Sequence, residues 1–368
     1  MDFSRQNQSA GDHSQQIQAQ NITINQGISE ERVRQIIDEK LTQVLSEYTD
    51  EAREIATVRN KQFENSFINR LNTSSEDIKG LLMDSFREPR FQFLLKDAQR
   101  SAASSDREDD YKLLTELLVC HVQKGNNRKI RAGVHQAIQI IDDIDNEALC
   151  GLTAAHAILH FAPNSGDISE GIQVLDQLFK NLIYNDLPQE SGWLDHLDVL
   201  GTIRLSGFGK MMNMIDVYTL KLDGYICAGI KTDSDNYKKA MNIVLNAGLP
   251  VQGLLVENEC LNGYSRIPVP SKTKLENLSM VLTTGETKQL NDVETNALKE
   301  IFSIYDSDAT KIDQAKRNFA EMWDSHDTLK MVHTWWDSIP NAFTITEVGR
   351  VLAHTNAKRC DPRLPDLI

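Results

Sequence analysis

The stretch SEERVRQIIDEKLTQVLSEYTDEAREIATVRNKQFENSFINRLN, residues 29–72, decides how this chain is built. Ser29 is placed to cap a helix. Glu30 and Glu31 follow in the first turn, where carboxylates face the positive end of the helix dipole. Neither proline nor glycine interrupts the run before Gly80. Apolar residues fall at Val33, Ile37, Leu41, Val44, Tyr48, Ala52 and Ile55, in steps of three and four, and then coarsen to Phe63, Phe67 and Leu71. The opposite face carries Arg34, Asp38, Lys40, Glu47, Asp50 and Glu54. The pattern predicts one continuous helix with a heptad-like seam, roughly 65 Å long at a rise of 1.5 Å per residue. Few single cores need that length, so an exposed coiled-coil stem is expected. The alternative is the same helix folded back on the chain's own body.

Before the stem, Gln16-Ile17-Gln18-Ala19 and Asn21-Ile22-Thr23-Ile24-Asn25 alternate polar and apolar side chains, and Gly27 closes the segment. Alternation of period two predicts short strands. Two such strands are too short to be stable alone, and copies from identical chains would complete them. Ile17, Ile22 and Ile24 of the leader, with Val33, Ile37, Leu41, Val44 and Tyr48 of the stem, are therefore the expected oligomer interface. A trimer is the simplest assembly. The alternative for residues 1–28 is a disordered polar leader, given its Gln, Ser and Asn content.

Asp and Glu number 53 against 39 Lys and Arg over 368 residues, a net charge of −14 that opposes a general nucleic-acid surface. The nearest basic cluster is Lys124 to Lys129 with Arg131, and it reads as a solvated loop. Met1-Asp2-Phe3-Ser4 leads into polar residues, so no secretory leader is expected, and no apolar run approaches the ~20 residues of a membrane span. The five cysteines are scattered without a Cys-x-x-Cys pair, which predicts reduced thiols in a cytoplasmic protein.

The rest of the chain divides by texture. Residues 74–190 carry helical spacing throughout, as in Tyr111, Leu113, Leu114, Leu117 and Leu118, and predict a helical core. At 191–270 a short helix ends at Leu200-Gly201, and Ile203 and Leu205 alternate with polar residues. Ser206-Gly207-Phe208-Gly209 turns, and Val217 to Leu222 alternates again. That order resembles a winged-helix hairpin, and the acidic chain favours a protein-interaction module over a DNA reader. Residues 271–368 return to helices. Near their end Thr346 is a predicted N-cap after the strand-like Phe343-Thr344-Ile345. The fold class is mainly α: a helical body with a long N-terminal coiled-coil helix, short leader strands and small winged-helix-like hairpins.

No catalytic set emerges. His156 and His160 are spaced i,i+4 on one helix face, as a metal site requires, but no Glu follows the first and no third ligand lies nearby. They read as partly buried structural histidines, with no metal or cofactor expected. Gly207-Phe208-Gly209-Lys210 lacks the phosphate-loop spacing. Cys120 and His121 are adjacent on a helix and so point about 100° apart, unsuited to a nucleophile–base pair. Trp335-Trp336 reads as a core or interface anchor.

Three segments carry a family resemblance. They are Gly11-Asp12-His13-Ser14 with Ile17 to Ala19, Ile22 to Ile24 and Gly27 to Glu31; then Trp193 to Leu197 through Gly224-Tyr225; then Ile345 to Gly349 with Ala353 to Asn356. Together they resemble an uncharacterised bacterial protein family known mainly by locus tags. The resemblance implies a strand leader, long helix and helical body, and no activity. Similar architectures occur among bacterial anti-phage proteins. The expected function is thus a homo-oligomeric interaction or sensor protein in such defence, with itself and a further protein as partners and no membrane. Two other readings stay open: a metal-dependent hydrolase assembled from scattered residues around His156 and His160, and a nucleic-acid-binding winged-helix protein.

Overall fold

Ser29 caps the first helix as expected, its hydroxyl accepting the Arg32 amide at 3.2 Å. In the computed structural model, which describes residues 28–281 and 287–367, that helix ends sixteen residues later. Helix α1 runs Glu30–Leu45 and α2 runs Asp50–Thr73, so the expected single helix is two. Arg53 holds the break: its guanidinium donates to the Leu45 and Tyr48 carbonyls, both at 3.0 Å, and to Asp50. These bonds satisfy carbonyls that the end of a helix leaves without partners. Thr49-Asp50-Glu51 repeats the start signal of Ser29-Glu30-Glu31, so the break is written in the sequence without proline or glycine.

The body continues with α3 Glu76–Ser85, α4 Pro89–Ser104, α5 Glu108–Lys124, α6 Arg128–Gln139, α7 Asn146–His160, α8 Ile168–Leu182 and α9 Gly192–Val199. Strand β1 (Ile203–Leu205), α10 (Met214–Lys221), β2 (Ile230–Lys231), α11 (Asp235–Asn246), β3 (Val256–Glu257) and β4 (Tyr264–Arg266) follow. Last come β5 (Ser279–Val281), β6 (Thr287–Gln289), α12 (Asp292–Ser303), α13 (Ala309–Asp324), α14 (Asp327–Ser338), β7 (Phe343–Ile345) and α15 (Glu347–Cys360). The chain is mainly α with a few short antiparallel strands.

The stem face is spent internally. Val33 and Ile37 are buried in the main core, Val44 is buried as well, and Leu41 and Tyr48 are half-buried. Helix α1 lies against α4, where the Gln99 amide donates to the Ile37 carbonyl at 3.0 Å and Arg100 pairs with Glu47 at 2.6 Å. The helix folded back on its own body is therefore the arrangement found, and a free-standing coiled-coil seam is not. A break after about four turns lets each half find its own groove. The leader with Ile17, Ile22 and Ile24 lies outside the described residues.

The winged-helix hairpin is also replaced. Val217 to Leu222, expected as a return strand, forms the second half of α10 through Lys221 and its C-cap Leu222, and the first amide of that helix is held by Asp337 at 2.8 Å. Met214, Val217, Tyr218 and Leu222 are buried at steps of three and four. The strand Ile203–Leu205 pairs instead with β7 near the C-terminus, Arg204 opposite Thr344. A second, smaller core gathers Ile230, Val244, Ile267, Leu298 and Phe302 around β2, β4, α11 and α12.

Helix α15 sits centrally, against α5, α6 and α7. Its cap is the predicted one, Thr346 Oγ1 accepting the Gly349 amide at 3.2 Å. Trp335 and Trp336 anchor α14 as buried side chains, donating to the Pro188 carbonyl at 2.9 Å and the Met212 carbonyl at 2.8 Å.

Candidate anion-binding site

The amphipathic helices α4, α5 and α6 pack against one another and leave a trough between their ends. On α4, Arg90 and Phe93 are three residues apart and so share a face. On α6, Arg131 and His135 are four apart and share another. His121, in the last turn of α5, forms the floor between them. One lobe, of about 320 Å3, is bounded by Arg90, Phe93, Leu94, His121, Arg131 and His135. The second, of about 530 Å3, shares Arg90, His121 and Arg131 and extends past Ser85, Glu88 and Asn126. The three shared residues make one continuous depression of the size that takes a small ligand.

Its electrostatics are unusual for an acidic chain. Among the described residues neither Arg90 nor Arg131 has a carboxylate within ion-pair distance, and the Arg131 guanidinium donates to the Gly125 carbonyl at 3.1 Å. Acids stand at the margins: Asp97 lies 3.3 Å from His135, and Glu88 edges the second lobe. His121 is 9% exposed, and its Nδ1 has no hydrogen-bond partner among the described residues. Burial pushes the His121 imidazole down to about 4, and Arg131, Arg90 and His135 push it the same way. The floor is thus neutral at pH 7 while the walls are cationic. Two unpaired guanidinium groups over a buried imidazole can bind an anion, and guanidinium forks suit phosphate and carboxylate. Gly125 is required beside it, since a Cβ there would lie 2.6 Å from the His121 carbonyl.

The histidines singled out from sequence come together elsewhere. His156 Nε2 lies 3.3 Å from His354 Nδ1, and the His156 and His160 rings are 4.6 Å apart. His354 Nε2 bonds the Pro365 carbonyl at 2.9 Å, which requires a proton on that nitrogen. His354 Nδ1 is then the acceptor and His156 Nε2 the donor. His156 Nδ1 is left as a bare, buried acceptor without a partner among the described residues. This line of imidazoles ties α7 to the C-terminal tail. Among the described residues no group of three or more His, Cys, Asp or Glu is arranged to hold a metal ion.

Lys221 stands beside this line, donating to the Ile158 carbonyl at 2.5 Å and the Phe161 carbonyl at 2.6 Å, at the negative end of α7. Burial pushes its ammonium down to about 7. Cys120 turns away from His121 toward Thr355, and burial pushes its thiol up to about 11, which suppresses the thiolate.

Of the sequence signals, the cluster Lys124 to Lys129 with Arg131 came nearest to the trough. Arg90, Phe93 and His135 were missed. No short-range motif joins them, and only the packing of α4 on α6 does. The loop Gly207-Phe208-Gly209-Lys210 is an exposed connection between β1 and α10. No described helix is long and apolar enough to cross a membrane.

Comparison with curated proteins returns no match, and neither does comparison with solved structures. A family model does match, over residues 27–365, which is nearly the whole chain and includes every residue of the trough. The protein belongs to this uncharacterised family.

Proposed function

We propose that this protein is an interaction or sensor protein whose helical body holds a small anionic ligand in the trough between α4, α5 and α6. One observation carries the reading: Arg90 and Arg131 flank the buried His121 with no carboxylate partner among the described residues. Two unpaired cations on an acidic protein are poised for an anion. Among the described residues the cluster at His156 and His354 is not arranged with a third ligand to hold a metal ion, which counts against a hydrolase built on it.

The test is thermal stabilisation by inorganic pyrophosphate at low salt. A ligand at ten times its Kd stabilises by about 1.4 kcal/mol. Wild type is expected to gain that increment, and Arg90→Gln/Arg131→Gln to gain none while melting close to wild type without ligand. Equal gains in both proteins, or no gain in wild type, would reject the site.

Self-association is the second part of the proposal. With Val33, Ile37 and Val44 used inside the body, it rests on the leader residues Ile17, Ile22 and Ile24. Light scattering is expected to give a multiple of the chain mass, a trimer in the simplest case, that falls to the monomer when residues 1–28 are removed. An unchanged mass would remove the leader from the assembly. Our reading assigns this assembly to bacterial defence in the cytoplasm, and the resemblance to anti-phage architectures is what supports it.

A further inference from the structure

We propose that the ligand of the trough is a nucleoside phosphate, its phosphate between Arg90 and Arg131 and its base laid on Phe93. The inference rests on the reading of the trough as an anion site and adds the identity of the anion. Phe93 is 71% exposed, although its helix neighbours Phe91, Leu94 and Leu95 are buried in the core. Phe208 is more exposed, at 93%, but it projects from a loop, whereas Phe93 walls a depression. Arg90 precedes Phe93 by one helical turn, so cation and ring face the same space. His135 and Arg131 close the opposite side from α6. Two cations, one of them a turn from an open aromatic face and the other across the depression, match a phosphate ester joined to a flat heterocycle, because every base offers a π-face to stack. A lone phosphate would leave the ring unused.

The surroundings argue for a free nucleotide over a nucleic-acid strand. Glu88 edges the lobe away from Phe93, and the chain carries a net charge of −14. A phosphodiester chain continuing into that lobe would meet the Glu88 carboxylate on a protein of net negative charge, whereas a single nucleotide seated between Arg90, Arg131 and Phe93 ends short of it.

The test compares AMP, ribose 5-phosphate and a twelve-residue single-stranded oligonucleotide on the full chain by calorimetry. Base stacking is worth ~1–3 kcal/mol, so AMP is expected to bind about tenfold tighter than ribose 5-phosphate. Phe93→Ala, at an exposed position, should bring AMP down to the affinity of ribose 5-phosphate, and Phe93→Trp should restore the difference. Equal affinity of the two phosphates in wild type, both lost in Arg90→Gln/Arg131→Gln, would overturn the nucleotide and leave the anion site standing. Absence of binding by both would overturn the anion site itself. An oligonucleotide that binds more tightly than AMP would assign the trough to a nucleic-acid strand and overturn the free nucleotide.

Discussion

Between pH 7 and pH 5 the folded protein is expected to lose about 6 kcal/mol of stability, through three buried histidines. Burial pushes His156 down to about 2, with His160, His354, Arg350 and Lys221 adding to it. His354 is held at about 4 by burial, against the bond to Pro365, and His121 at about 4 by burial and then Arg131 and Arg90. An unfolded histidine titrates near 6.5. Below that pH the unfolded chain binds protons that the native state refuses, so stability falls as pH drops from about 6.5 toward the native values. At pH 5 each site contributes about 2 kcal/mol of loss. The total rivals the ~5–15 kcal/mol that holds a folded protein together. Urea midpoints at pH 7 and pH 5 measure it, and His156→Phe should flatten the dependence by about a third. A change under about 1 kcal/mol between the two pH values would mean that the histidines reach solvent or a proton acceptor in the native state.

Gly349→Ala is expected to cost more than about 3 kcal/mol, beyond the usual range for one added methyl group. An added Cβ would lie 2.0 Å from the Thr202 carbonyl oxygen, which is backbone and has nowhere to go. That oxygen also accepts the Thr346 amide at 2.9 Å and the Thr346 hydroxyl at 3.0 Å, so moving it disturbs the α15 cap. Thr202 adjoins β1, and the Ile203–Ile345 pairing would shift with it. Gly192→Ala is the control, because nothing lies within 4 Å of a Cβ there. Denaturant melts of the two variants decide the matter. A Gly349→Ala protein as stable as the control would show that α15 can slide on β1, and its central position would then be loose.

The two expectations expose what kind of information the residues carry. Gly349 stood in a segment noted for its resemblance, but a sequence cannot say which carbonyl a glycine touches. His156 and His160 were legible as neighbours on one helix face. His354 joined them only because α15 returns to pack on α7, nearly two hundred residues later. The trough was half legible for the same reason. Lys124 to Arg131 is a local cluster, whereas Arg90 and Phe93 enter through helix packing. The wing hairpin failed because Val217-Tyr218-Thr219-Leu220 satisfies both a two-residue and a near-four-residue period over so short a run. The Asp337 carboxylate and the burial of Met214 and Tyr218 resolved it toward a helix.

By itself the sequence determined the helical class and the caps at Ser29 and Thr346. These rest on local propensity, side-chain period and composition, which act over a few turns. Only the tertiary structure decided that the seam of Val33, Ile37 and Val44 faces inward. An apolar stripe is equally satisfied by another chain or by its own body, and the periodicity is the same in both. Which of them covers it depends on the break at Ser46 to Thr49 and on the groove that α4 offers to α1.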